Sequence, residues 1–209
     1  MIAIIDYGMG NLRSVSKALE HLGFEAQISR DPELIATASH VILPGVGAFG
    51  AAMNNLYKLN LIRVVKDAAA SGKPFLGICL GMQLLLEHSC ELGIHEGLGI
   101  IPGRVIKFFD EAYKNIDASQ LKIPHMGWNS INIRRTTPFL SDVPDGSMVY
   151  FVHSYYVVPS DPSVVAATTE HGVEYCSVIA RDNVFATQFH PEKSGAIGLK
   201  MLQNFAEAS

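Results

Sequence analysis

Short apolar runs with no polar interruption recur over roughly the first ninety residues, and each gives way to glycine and then to helical periodicity. "IAIID" (Ile2 to Asp6), bounded by Gly8 and Gly10, is the first. A run of that kind is a strand buried on both faces, because a strand open to solvent on one side would alternate polar and apolar residues. From Asn11 onward Leu12, Val15, Leu19 and Leu22 fall at helical spacing and stop at Gly23. Strands follow at Phe24 to Ser29 and at "HVILPG", helices around Ala51 to Tyr57 and Leu61 to Ser71, then the strand "PFLGIC" and the helix "LGMQLLLEHS". Strand and helix in alternation predict a parallel, doubly wound sheet.

The second half changes character. "RVIKFF", "GWNSINI", "SMVYFVHSYYVV", "VVAATTE", "YCSVIARD" and "VFATQFH" read as strands in succession, and "GAIGLKMLQNFAEA" as a closing helix. The polar stretch from Phe108 to Lys122 reads as a surface loop or short helix. No repeat, linker or low-complexity tract divides the 209 residues, so the expectation is one α/β domain over 1–209: an open, mostly parallel sheet flanked by helices, with added antiparallel strands in the second half.

Composition narrows the function. The net charge of −4 comes without a basic cluster, which argues against nucleic acid as a partner. No apolar run approaches the ~18 residues of a membrane span, and the apolar start is too short for a signal peptide. Cys79, Cys90 and Cys176 are odd in number and far apart, as expected in a reducing cytoplasm rather than in a disulfide framework or zinc site. The remaining histidines are scattered, with no ligand pair on one helix face, so no metal is expected.

"GICLG" has the arrangement of a nucleophile elbow: strand, sharp turn with Cys79 at its tip, helix. A helix N-terminus favours thiolate over thiol, and the N–H of Leu80 is a ready oxyanion donor. In isolation the pentapeptide fits a buried structural cysteine better, since cysteine is among the most buried residue types. "ATQFHPEKS" offers partners: His190 at a strand end and Glu192 two residues on, on the same side if the segment is extended. A carboxylate so placed can hold the imidazole and stabilise its charged form. In "LPGVGAFG", glycines around Val46 allow consecutive N–H groups, including that of Gly47, to face a carbonyl oxygen; an ordinary strand-to-helix loop is the other reading. All three segments stand at predicted strand ends, where open α/β sheets bind their ligands.

These residues resemble the class I glutamine amidotransferases, whose cysteine elbow, glycine oxyanion loop and terminal "FHPE" recur here in the family's order over essentially the whole chain. "IIDYGMGNLRSV", "PHMGWN" and "FHPEKS" further resemble one branch, in which the glutaminase serves a separate cyclase subunit with a (β/α)8 barrel. The resemblance implies Cys79 as nucleophile, His190 as general base and acid, Glu192 as its orienting carboxylate, and an oxyanion hole from Leu80, Val46 and Gly47. It implies that Gln83 and the backbone of His153, Ser154 and Tyr155 hold the α-amino and carboxylate groups of glutamine, with no cofactor. Asn11, Met126, Trp128 and Lys193 are candidates for the surface docked by the cyclase. A glutaminase serving another synthase, a related cysteine hydrolase and a non-catalytic binding module are the alternatives.

Overall fold

The computed structural model describes residues 1–108 and 122–208. The polar stretch between the strands lies, but for its two end residues, outside them. β1 (Ile2–Ile5), α1 (Leu12–His21), β2 (Ala26–Ser29), α2 (Pro32–Thr37), β3 (His40–Gly45), α3 (Phe49–Lys58), α4 (Leu61–Ala70), β4 (Phe75–Cys79) and α5 (Leu80–Leu84) build the first half. β5 (His88–Ser89), β6 (His95–Glu96), β7 (Gly103–Lys107), β8 (His125–Ser130), β9 (Asn132–Ile133), β10 (Met148–His153) and β11 (Tyr155–Pro159) follow. β12 (Val165–Glu170), β13 (Glu174–Arg181), β14 (Val184–Thr187) and α6 (Gly195–Glu207) complete the order.

The main sheet runs β2-β1-β3-β4-β14-β13-β11-β7-β5-β6, with β12 and β9 branching from β13. β2, β1, β3, β4 and β14 are mutually parallel, and β13, β11 and β7 continue antiparallel. Alternate residues of β1 serve opposite cores: Ala3 and Ile5 pack with Ile35, Phe49, Leu56 and Val65 of α2, α3 and α4, while Ile2 and Ile4 pack with Val15, Leu19, Leu202 and Phe205 of α1 and α6. Helices on both faces explain why the central strands β1, β3 and β4 are buried at every position, whereas the edge strand β2 keeps Gln27 and Ser29.

Several elements depart from the sequence reading. The helix after "PFLGIC" ends at Leu84 instead of running to Ser89, because the carbonyls of Leu84, Leu85 and Leu86 accept the N–H groups of Leu98, Ile100 and Gly99. "SMVYFVHSYYVV" is two strands broken at Ser154: β10 pairs with β8 in a separate two-stranded sheet, whereas β11 joins the main sheet. α2, opened by Pro32 and capped by the Asp31 carboxylate on the Glu33 N–H, was not anticipated. β14 closes at Thr187, so His190 lies beyond the strand and not at its last position.

Candidate active site

Three parallel strands end together. Gly45 of β3 stands opposite Cys79 of β4, and Thr187 of β14 opposite Ile78. Cys79 is both the last strand residue and the N-cap of α5, with φ 55° and ψ −109°. The turn is tight because backbones nearly touch: a Cβ on Gly81 would stand 1.8 Å from the Leu43 carbonyl oxygen. The unusual dihedrals of the turn fall on the cysteine itself. As the first helical residue, Leu80 has an N–H with no acceptor inside the helix.

Beyond β14 the chain passes through Gln188 and Phe189 to His190, then makes one 3₁₀ turn over Pro191–Lys193. This segment is not extended, yet His190 Nδ1 lies 2.8 Å from Glu192 Oε1, with the two side chains 2% and 1% exposed. The turn brings the carboxylate back to the ring instead of projecting it alongside. Burial by itself would depress the His190 pKa. The neighbouring Cys79 sulfur and Glu192 carboxylate outweigh burial and push it up to about 10. His190 Nε2 has no partner at hydrogen-bond distance among the described residues, and Cys79 is the group that acts on it.

A cavity of about 310 Å³ opens over these groups. It is lined by Val46, Gly47, Cys79, Leu80, Gln83, His153, Ser154, Tyr155 and His190, all singled out from the sequence, and by Glu91, Pro124 and Val152, which were not. Gly47 has φ 101°, a conformation that glycine adopts without strain. Gln83 is buried, not on the helix surface, and its Nε2 donates to the Tyr155 carbonyl at 2.9 Å and to Gln188 Oε1 at 3.1 Å. His153 Nδ1 also lies 2.8 Å from that carbonyl, which can only accept, so Nδ1 carries the proton. Burial pushes the His153 pKa down to about 3, and it is neutral.

Among the described residues Glu91 is the one carboxylate lining the cavity, and its Oε2 accepts the Phe49 N–H at 2.6 Å, at the start of α3. The sequence carried no signal for it beyond an acid shortly after the elbow. His125 and His171, apparently scattered, meet beside His153: His125 and His171 stack at 4.0 Å, and His125 Nδ1 lies 3.3 Å from His153 Nε2 and 3.0 Å from the Tyr175 hydroxyl. Among the described residues, no group of three or more His, Cys, Asp or Glu side chains could hold a metal ion. Cys79, Cys90 and Cys176 are free thiols.

The four surface candidates divide in two. Trp128 is 54% exposed and Met126 63%, so neither is a core residue. Trp128 and Lys193 flank Tyr150, with ring centroids 6.2 Å apart and the ammonium 6.0 Å from the Tyr150 ring. Asn11 sits at the N-cap of α1 and makes no side-chain capping bond.

The family model "Glutamine amidotransferase class-I" matches residues 3–208. The chain belongs to the class I glutamine amidotransferases and is an enzyme of that class. It is 52% identical over 206 residues to the imidazole glycerol phosphate synthase subunit HisH of Geobacter sulfurreducens, covering 99% of this chain and 98% of that one. It is also 52% identical to the HisH subunit of Caldanaerobacter subterraneus subsp. tengcongensis, covering 99% and 98%. Identity at that level over nearly the full length sets it within the HisH family. The fold recurs in the structure of PurLQS from Thermotoga maritima, with TM-score 0.74, 21% identity and coverage of 98% of this chain and 96% of that one.

Proposed function

We propose that this chain, working as a single domain over 1–209, hydrolyses glutamine through a Cys79–His190–Glu192 triad and passes ammonia to a (β/α)8 cyclase subunit. With that partner it would make imidazole glycerol phosphate and aminoimidazole carboxamide ribotide for histidine biosynthesis, in the cytoplasm and without a cofactor. The observation that carries the reading is the buried 2.8 Å contact between His190 and Glu192 beside a cysteine on an elbow.

In this mechanism the Cys79 thiolate attacks the side-chain amide of glutamine while Glu192 holds His190 charged. The tetrahedral oxyanion accepts hydrogen bonds from the Leu80 N–H and from N–H groups at Val46 and Gly47. His190 gives its proton to the departing ammonia, leaving a thioester on Cys79. The neutral imidazole then takes a proton from water, hydroxide adds to the thioester, and glutamate leaves as the thiolate returns.

Substrate recognition follows from which atoms are already engaged. Both protons of the Gln83 amide are used, on Tyr155 and Gln188, so its Oε1 is the end left to face a ligand, and that end needs a donor. Glu91 has Oε1 to offer while Oε2 caps Phe49. Both fit the α-ammonium group of an amino acid, and the backbone at Ser154 and Tyr155 serves its carboxylate. Met126, Trp128, Lys193 and Asn11 form the docking surface for the cyclase in this reading.

Glutamate release is the test, measured on the chain alone and with a cyclase subunit and its nucleotide ligand added. Stimulation by the cyclase, abolished in Cys79→Ala, is the expected result; turnover that survives Cys79→Ala would remove the triad. Glu192→Gln is expected to lower kcat by roughly 10–100-fold with little change in KM, since the carboxylate acts through the ring and not on the substrate.

A further inference from the structure

Gln188 lies between β14 and His190 with its side chain entirely buried, and the triad makes no use of it. A buried carboxamide must have its polar ends paired, so the partners of this one report its orientation. They form a chain anchored on a backbone carbonyl. The Tyr155 oxygen can only accept, which turns the NH₂ end of Gln83 toward it at 2.9 Å. The second proton of that NH₂ goes to Gln188 Oε1 at 3.1 Å. Gln188 is thereby fixed with its own NH₂ end outward, and Nε2 stands 3.9 Å from Cys79 Sγ. A carboxamide whose flip is ordinarily ambiguous is here locked by one carbonyl two links away.

We infer that Gln188 is the positioning donor for the Cys79 sulfur, aligned by Gln83, and that it favours the thiolate against the thiol. The inference rests on the reading of Cys79 as nucleophile. Its physical basis is the difference between the two groups that flank the sulfur. His190 can surrender a proton to the sulfur and so quench it. A carboxamide N–H can only donate a hydrogen bond, because it does not ionise in this range. An N–H···S⁻ bond strengthens with charge on sulfur, so Gln188 acts where the thiolate is formed: before attack on the amide, and again when sulfur leaves the thioester.

Iodoacetamide labels thiolate and not thiol, so its rate of reaction with Cys79 reads this directly. Cys90, exposed and not lining the cavity, gives an internal reference in the same molecule once the labelled peptides are separated by mass. The ratio of the Cys79 rate at pH 7 to that at pH 10 cancels any change in access through the cavity. In Gln188→Met that ratio is expected to fall by about tenfold, the scale of one hydrogen bond to a charged group. Gln188→Glu is expected to lower it further, by placing negative charge beside sulfur. Gln83→Met, which frees the Gln188 amide to turn, is expected to lower it by a smaller factor.

A wild-type ratio in a folded Gln188→Met chain, with Cys90 labelling unchanged, would overturn the inference. If that variant does not fold, Gln83→Met decides: a wild-type ratio there means that no aligned donor faces sulfur. The labelling needs no turnover, so it is independent of the glutamate assay. Activity that survives Cys79→Ala removes the nucleophile, whereas an unchanged labelling ratio with a dead Cys79→Ala removes only the role of Gln188.

Discussion

Cys79 carries a backbone conformation, φ 55° and ψ −109°, that a side chain adopts at a cost of about 1–3 kcal/mol. Gly77 and Gly81 on either side are needed because backbones pass too close for a Cβ, which the tightness of a strand-to-helix turn already suggested, while the strained dihedrals fall on the residue between them. Cys79→Gly is therefore expected to be more stable than Cys79→Ala by about 1–3 kcal/mol, read as a shift in the denaturant midpoint, although both lack the thiol. That Cys79, His190 and Glu192 come together was legible, because Cys, His and Glu in strand-end settings have few other uses in combination. Glu91 and Gln188 were not, since nothing local marks an acid as lining a cavity, or an amide as buried beside a sulfur, when distant segments decide both.

At the scale of elements, the early strands and the early helices other than α2 could be read because hydrophobic period reports burial on one face or two. What could not be read were endings decided by remote partners. The run after the elbow keeps a helical pattern to Ser89, but residues 98–100 take its carbonyls from Leu84 onward and the helix stops. Likewise nothing in "FVHSYYVV" marks Ser154 as the place where the chain leaves one sheet for another. The junction of β4 and α5 against β3 makes the sharpest demand on sequence. A methyl group at Gly81 would overlap the Leu43 carbonyl, and neither atom belongs to a flexible side chain. Gly81→Ala is expected to lose at least the ~1–3 kcal/mol typical of overpacking, and to lose glutamate release with it, as chemical unfolding and the activity assay would record.

Across the whole molecule, buried histidines set the pH range of stability. Burial holds His125 at about 4 and His153 at about 3, against 6.5 when exposed. Each binds its proton more readily unfolded than folded, so their contribution is complete above pH 6.5 and is lost as pH falls toward 4 and below. For His190, burial is outweighed by Cys79 and Glu192, and its folded value lies near 10. That contribution is complete below pH 6.5 and is lost as pH rises through 10. Denaturant midpoints against pH are expected to peak near neutrality, with His125→Phe flattening the acid limb and His190→Asn the alkaline one. The sheet order has one more consequence. β4 receives β14 as its neighbour, so the elbow is joined to a strand that leads directly into His190, its proposed base, made 111 residues after Cys79. At typical rates of synthesis the thiol waits roughly 5–20 seconds on the ribosome before His190 exists. Through that interval the nascent protein carries the cysteine beside an open apolar strand edge, so in the proposed mechanism activation comes only with the strand that also seals that edge.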